Sequence, residues 1–117
     1  MSVTLNHVRA ITAGLDRSYE VFVRDRVKFR VGRIVFVAMS RDEQMMGFGF
    51  PKDERAALVA SEPEKFLLPR ERDMRYNWVV VRLDKIDEQE LRELVEEAWA
   101  MCVPKKISAP YFMEATR

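Results

Sequence analysis

The stretch that decides the fold is Trp78 to Lys106, which reads WVVVRLDKIDEQELRELVEEAWAMCVPKK. Its first six residues, Trp78 to Leu83, are mostly β-branched or apolar and predict a strand. Asp87 is placed as the N-cap of a following helix, and Glu90, three residues on, completes the pattern of a capping box. The sequence therefore predicts a strand followed at once by a helix, and this pair is expected to form the centre of the core.

The predicted helix has one apolar side. Pro104 prevents it from continuing, and Ile86 and Leu91 flank the cap in the positions of a hydrophobic staple. We expect Trp99 to be buried against the strand. The apolar residues repeat at helical spacing, and they are Leu91, Leu94, Val95, Ala98, Trp99 and Cys102.

Composition limits the class of protein. The chain has 117 residues, of which 48% are apolar and 33% charged, and its formal net charge of +1 does not by itself indicate a polyanion partner. One cysteine excludes an internal disulfide framework. The longest charge-free apolar run, Ile34 to Met39, is too short to cross a bilayer, and no signal peptide is evident. We therefore expect one cytoplasmic domain with no membrane partner.

Upstream of the central stretch, two further segments have clear patterns. Helical spacing predicts a first helix from Thr4 to Leu15, with Ser2 or Thr4 as N-cap. The form of Asp16 to Val23 is left open. A hairpin is then predicted at Gly32-Arg33, joining a strand with alternating Val27, Phe29 and Val31 to a return strand from Ile34 to Met39. A two-residue turn would place Phe29 opposite Phe36 and Val31 opposite Ile34 on the core face, which leaves Val35, Val37 and Met39 on the other face.

The middle of the chain completes the element order. A third strand is predicted from Met46 to Phe50, in which Gly47 and Gly49 would lie on the outer face and leave the backbone reachable. A shorter helix from Pro51 to Ser61 and a short strand from Phe66 to Leu68 follow. The sequence thus predicts the order helix, hairpin, strand, helix, strand, helix, typical of an α+β fold.

No pattern in the sequence indicates catalysis. The glycine pair at Gly47 to Gly49 lacks the third glycine of a dinucleotide fingerprint. Ser40 and Ser61 need a nearby base to act as nucleophiles, and His7 is the only histidine. We interpret His7 as a solvated surface residue and Cys102 as a small buried hydrophobe. The acidic residues Glu90, Glu93 and Glu97 are interpreted as a solvated helix side. We predict no enzyme activity, no cofactor and no metal.

Three segments together resemble the MmcQ/YjbR family: FRVGRIVFVAM at 29–39, FPKDERAALVASEPEKF at 50–66, and NWVVVRLDKIDEQELRELVEEAWAMCVPKK at 77–106. The resemblance implies an α+β domain at residues 1–106, with a single antiparallel sheet and helices on one face, similar to the bacterial frataxin CyaY. It also implies DNA binding, because the architecture resembles a double-wing domain of a phage transcription factor. Residues 107–117 extend past the usual end of the family and are predicted to form a C-terminal tail.

Helices on one side of an antiparallel sheet leave the other face open. The alternation in the strands places basic and aromatic side chains on that face, where charge neutralisation and base stacking would suit a nucleic acid. The candidate residues for binding single- or double-stranded DNA are Arg24, Arg26, Lys28, Arg30, Trp78 and Arg82.

Two other functions stay open at this stage. An interaction or self-associating module is suggested by the apolar residues on the open face and by the tail, which would meet a protein partner or a second copy. The apolar tail residues Ile107, Tyr111, Phe112 and Met113 are expected to pack on the domain itself or on that second copy, with Pro104 and Pro110 precluding a continuous helix. A frataxin-like metal handler is the least favoured, since the first helix is poor in acidic residues.

Overall fold

The computed structural model describes residues 3–115 and has an α+β fold with one open, antiparallel, six-stranded sheet. The strands lie in the order β1-β2-β3-β4-β6-β5. In chain order the elements are α1 (Leu5–Thr12), β1 (Ser18–Val23), β2 (Arg26–Val31), β3 (Ile34–Met39), β4 (Met45–Gly49), α2 (Arg55–Ser61), β5 (Phe66–Leu67), β6 (Trp78–Arg82), α3 (Glu88–Ala100) and α4 (Lys105–Ala115). The predicted fold class is confirmed.

The core lies between one face of the sheet and helices α1 and α3. Val79 and Val81 of β6 are fully buried, as are Leu91, Val95 and Trp99 of α3. Burying side chains of this size contributes about 1.5–3 kcal/mol each, so this layer accounts for much of the stabilisation. The predicted inward faces of β6 and α3 are confirmed.

The N-terminus of α3 forms half of the predicted capping box. The Asp87 carboxylate accepts a hydrogen bond from the Glu90 backbone N–H at 2.8 Å, as an N-cap should. The Glu90 carboxylate does not return to the Asp87 backbone and instead pairs with Lys65 at 3.1 Å. The reciprocal half of the prediction is therefore wrong, because a lysine from another segment competes for the glutamate.

A β-bulge in the hairpin formed by β2 and β3 changes the predicted register. Val31 pairs with Ile34 as expected, but the register shifts between Phe29 and Arg30, so that Phe29 lies opposite Val37 and not Phe36. Phe36 and Val37 are both fully buried, and Met39 is 1% exposed. Since a one-residue shift moves side chains to the opposite face, the prediction that Val37 and Met39 lie on the open face is wrong.

Helix α1 is shorter than predicted and is joined to α3 by its histidine. Thr4 is the N-cap, and its backbone N–H donates to His7 Nδ1 at 2.9 Å, while His7 Nε2 lies 3.0 Å from a Glu88 carboxylate oxygen. His7 is thus half-buried and bound on both nitrogens, which corrects its interpretation as a solvated residue. The alternative cap, Ser2, lies outside the described residues.

The segment before this hairpin, to which the sequence assigned no structure, contains an edge strand. β1 pairs with β2 through a two-residue turn at Arg24 and Asp25, both of which have positive φ angles of 52° and 65°. This turn contains neither glycine nor asparagine, so it has no recognisable hairpin signature in the sequence. The strand extends the sheet to six members, one more than the sequence predicted.

The two remaining helices begin and end differently from the predictions. α2 starts at Arg55 and not at Pro51, and residues 52–54 form a turn before it. α4 is one helix that contains Pro110, so the expectation that this proline would interrupt it is wrong. Proline removes one backbone hydrogen bond without ending the helix here, because the side chains of α4 are held by packing.

Helix α4 packs on its own domain. The Tyr111 and Phe112 rings meet the Trp99 ring edge to face, with centroid distances of 5.1 and 6.4 Å. The Tyr111 hydroxyl donates to the buried Glu96 carboxylate, and Trp99 Nε1 donates to the Asp16 carbonyl at 2.8 Å. Of the two expectations for the tail, packing on the domain itself therefore applies to this helix.

Candidate functional site

The open face of the sheet lies opposite α1 and α3. The cross-strand pairs place the side chains of Arg26, Lys28 and Arg30 on one face together with their partners in the neighbouring strands. These three basic side chains are half-buried. The other strand residues that share this face, according to the pairing and the burial pattern, are Tyr19, Val21, Val23, Val35, Ala38, Met45, Gly47, Leu67, Trp78, Val80 and Arg82.

The strands contribute basic side chains to this face but no acidic ones. Glu20 is the only acidic residue in the six strands, and its carboxylate lies on the helix side. There it accepts two hydrogen bonds from Arg9, at 2.9 and 2.8 Å, which lower the pKa of the Glu20 carboxyl. The open face is therefore a basic surface within a chain whose net charge is close to zero.

The basic side chains of the open face differ in the hydrogen bonds and ion pairs that they make. Within residues 3–115, Arg26 and Lys28 make no side-chain hydrogen bond or ion pair, and the Nε atom of Arg30 is buried without a hydrogen-bond partner. Arg82 donates from one terminal nitrogen to the carbonyls of Pro63 and Glu64, at 3.3 and 3.1 Å. Arg26 and Lys28 are thus the charges that a ligand would reach without breaking contacts.

Arg24 does not belong to the basic row that Arg26, Lys28 and Arg30 form along β2. It lies in the turn between β1 and β2, with a φ angle of 52°, and is exposed at the end of the hairpin. The structure therefore brings five of the six candidate residues onto the open face and leaves Arg24 at its edge.

Trp78 lies directly over Gly47. A Cβ atom added at Gly47 would come within 2.6, 2.6 and 2.7 Å of three atoms of the Trp78 indole. The Nε1, Cε2 and Cζ2 edge of the indole therefore lies where a side chain at position 47 would be, and only glycine leaves room for it. The prediction that Gly47 leaves bare backbone is wrong, since the aromatic ring occupies that place and is itself half-buried.

Gly49 has a different role from Gly47. A Cβ added there would meet Ala98 of α3, with its Cβ 3.6 Å away. This is ordinary van der Waals contact with the helix layer. The prediction that Gly49 adds reachable backbone to the open face is therefore wrong; the twist at the end of β4 brings this position against α3.

A buried arginine fixes the segment that leads to Trp78. Arg55, at the start of α2, is 6% exposed and donates to the carbonyls of Met74, Tyr76 and Trp78, the second of these at 2.8 Å. Asn77 adds to this connection, because its side-chain oxygen accepts from the Lys52 backbone N–H at 3.0 Å. These contacts fix the backbone of the segment that leads into β6 and to Trp78.

Arg55 could not be identified from the sequence. Its partners are neutral carbonyl groups about twenty residues away, and no acidic residue in the sequence signals the pairing. A guanidinium with five donors can serve several carbonyls at once, which explains why an arginine is placed there.

The described residues do not form a metal or nucleophile site of a known pattern. Within residues 3–115 no group of three or more histidine, cysteine, aspartate or glutamate residues is placed to hold a metal ion. Ser40 donates to Asp42, and Ser61 donates to the Leu58 carbonyl, so in this part of the chain neither serine is hydrogen-bonded to His7. Cys102 is half-buried, and burial raises the pKa of its thiol, which disfavours the reactive thiolate.

In the part of the chain that the structure describes, no helix has the length and apolar character that crossing a bilayer requires. An open cavity of about 540 Å³ lies on the helix side of the sheet near its β1 edge, and its lining includes Arg9, Glu20, Phe22 and Glu43.

The fold places the chain in a class of small α+β proteins with helices on one side of a single antiparallel sheet. The crystal structure of Deinococcus radiodurans protein DR2400, which carries the family-model domain DUF419, is similar to this chain with a TM-score of 0.73. The match covers 84% of this chain and 77% of that protein at 19% sequence identity, so it demonstrates a shared fold.

The family model YjbR matches residues 13–101, which is more than half of the chain, and the protein belongs to the YjbR family. The family predicted from the three sequence segments is thus confirmed. No curated protein matches this sequence.

Proposed function

We propose that this YjbR-family protein is a small, non-enzymatic nucleic-acid-binding module of the cytoplasm that binds through the open face of its sheet. The observation that carries the proposal is the row of Arg26, Lys28 and Arg30 on a sheet face whose strands contribute no acidic side chain. Phosphate groups that neutralise this row would release counterions, and this release is the main source of affinity for nucleic acids.

Trp78 favours the binding of single-stranded nucleic acid over the binding of a duplex. An edge of its indole lies against Gly47 and the ring is half-buried, so the ring is held in place while part of its surface stays exposed. A ring held in this way loses little freedom when a base stacks on it, and such stacking contributes about 1–3 kcal/mol per base. A sheet face with two aromatic residues, Tyr19 and Trp78, and a basic row suits a strand whose bases are unpaired.

The alternative, a protein-interaction or self-associating module, loses two of its original supports. Val37 and Met39 are buried in the core and do not widen the apolar part of the open face. The rings of Tyr111 and Phe112 are packed against Trp99, so they are already engaged within the chain. The apolar residues that remain on the open face are interleaved with arginine and lysine, which favours a phosphate-containing partner.

The first experiment separates local charge from net charge. Arg26→Ala with Lys28→Ala should weaken binding to single-stranded DNA and lower the slope of log affinity against log salt by about 1.4, or roughly 0.7 per lost phosphate contact. The matched control removes the same two charges from α4, as Lys105→Ala with Lys106→Ala. Both double variants should keep the free energy of unfolding within about 0.5 kcal/mol of the wild-type value.

The second experiment tests the indole. Gly47→Ala keeps Trp78 but places a methyl group where the ring now lies, so the ring must move. We expect this variant and Trp78→Ala to lose the preference for single strands over duplex. If the unmodified protein binds neither form of DNA or RNA at low salt, or if the α4 control lowers affinity as much as the β2 variant, the proposal fails.

A further inference from the structure

The two edges of the sheet are protected very differently. β5 forms one edge and has only two residues, followed shortly by Pro69, which is a common way to prevent further pairing. β1 forms the other edge with six residues, SYEVFV, and contains neither proline nor lysine. Phe22 in this strand is 70% exposed. β1 therefore presents a long, largely apolar edge of the kind that pairs with another strand.

The geometry of the β1–β2 hairpin shows which backbone groups are free. A two-residue turn makes Val23 and Arg26 a hydrogen-bonded pair, and the groups that point toward β2 then alternate along the strand. The N–H and C=O groups of Ser18, Glu20 and Phe22 consequently point away from β2. The Ser18 N–H follows this rule, because it donates to the Leu15 carbonyl outside the sheet.

We infer that the β1 edge pairs with β1 of a second copy of this chain, antiparallel and about a two-fold axis perpendicular to the sheet. Paired residues must then lie on the same face, which restricts the axis to a residue position. An axis at Glu20 would place two glutamates directly opposite each other, which is unfavourable. An axis at Phe22 would pair only residues 21–23 of each strand. An axis at Val21 pairs residues 19–23 and avoids both problems.

The register centred on Val21 is also complementary in charge. It places Arg17 opposite Asp25 of the second copy, and the symmetry generates this pair twice. Within the described part of the chain, both residues are exposed and neither makes a hydrogen bond or ion pair. The same register sets the exposed ring of Phe22 opposite Glu20 of the second copy, which is bound to Arg9, and the cavity of about 540 Å³ leaves room there on the helix side.

Pairing of this kind would join two sheets into one of twelve strands with both open faces on the same side. The two β2 rows would be separated by three strand spacings, or about 14 Å. A ladder of five residues per strand buries little area, so we expect a weak dimer with a dissociation constant on the order of 10–100 µM. This inference does not depend on what the open face binds.

Sedimentation equilibrium on the full chain, from about 5 µM to about 1 mM protein, tests the inference. We expect the apparent mass to rise from 13.8 kDa toward twice that value. Phe22→Pro removes an outward N–H without removing a bond to β2, and it should weaken association at least tenfold more than Phe22→Ala, which keeps the N–H. Leu68→Ala, beside the other edge, is the control and should associate like the wild type.

A charge exchange tests the register and does not rely on proline. Arg17→Asp places two acids opposite each other and Asp25→Arg places two bases, so each should weaken association about threefold to tenfold. The double variant restores opposite charges and should recover wild-type association. A protein that stays monomeric at 1 mM overturns the inference, as does an unaffected Phe22→Pro dimer or a charge exchange in which the double variant is no tighter than the singles.

Discussion

Replacing Arg55 tests how a buried cation without an acidic partner contributes to this fold. Arg55→Met keeps most of the side-chain volume but removes the guanidinium, which leaves the carbonyls of Met74, Tyr76 and Trp78 without their donor in a site that is 6% exposed. The side chain of methionine is flexible and fills irregular space, so packing loss should be small. The effect measured is then mainly that of the hydrogen bonds.

The expected magnitude follows from these three acceptors. A hydrogen bond to a charged group contributes about 1.5–3 kcal/mol, and a buried acceptor left unsatisfied costs about 1–3 kcal/mol. Against this, the wild type loses several kcal/mol by removing a cation from water, and the variant is relieved of that penalty. With one of the three contacts long, at 3.4 Å, we expect a net destabilisation of about 2–4 kcal/mol.

Urea unfolding followed by circular dichroism measures this change. With a slope of about 2 kcal/mol per molar urea, the midpoint should fall by roughly 1–2 M and the slope should stay constant. Arg55→Lys keeps a charge but offers fewer donors in a different geometry, so its stability should lie between those of the wild type and Arg55→Met. Arg72→Met, on an exposed residue of the same region, is the matched control and should change stability by less than about 0.5 kcal/mol. An Arg55→Met protein as stable as this control would refute the reasoning.

Two further predictions concern the contact between α3 and α4. Trp99 is fully buried, so Trp99→Ala should lower the free energy of unfolding by about 3–5 kcal/mol. Trp99→Phe mainly loses the hydrogen bond to the Asp16 carbonyl and should lower it by about 1–2 kcal/mol. Equal urea midpoints for the two variants would contradict this prediction. Burial and the hydrogen bond to Glu96 raise the pKa of Tyr111 from its ordinary value of 10.0 to about 12. Because the folded state holds this proton more tightly, the contribution is complete below pH 10 and is lost as the pH rises toward 12. The difference in urea midpoint between wild type and Tyr111→Phe should therefore shrink from pH 8 to pH 11, and a constant difference would show that Tyr111 does not titrate in this way.

Several features of the chain could be predicted because they depend on residues close together in sequence. The cap at Asp87, the apolar side of α3 and the alternation in β6 all arise from the fixed geometry of a helix turn or a strand pleat. The turn at Gly32 is local in the same sense, since its φ of 59° is the conformation that glycine adopts readily. These local patterns were sufficient for the fold class and for five of the six candidate residues to be placed on one face.

The remaining features depend on contacts between distant segments. The bulge near Phe36 forms because the core accepts two adjacent apolar side chains, and no spacing rule in the strand indicates it. Trp78 covers Gly47 only because β4 and β6 are neighbours, and Arg55 finds its carbonyl partners only after α2 has packed beside them. Local conformational preferences are weak compared with the free energy of burying and satisfying these groups, so the tertiary structure alone decided the details of the open face.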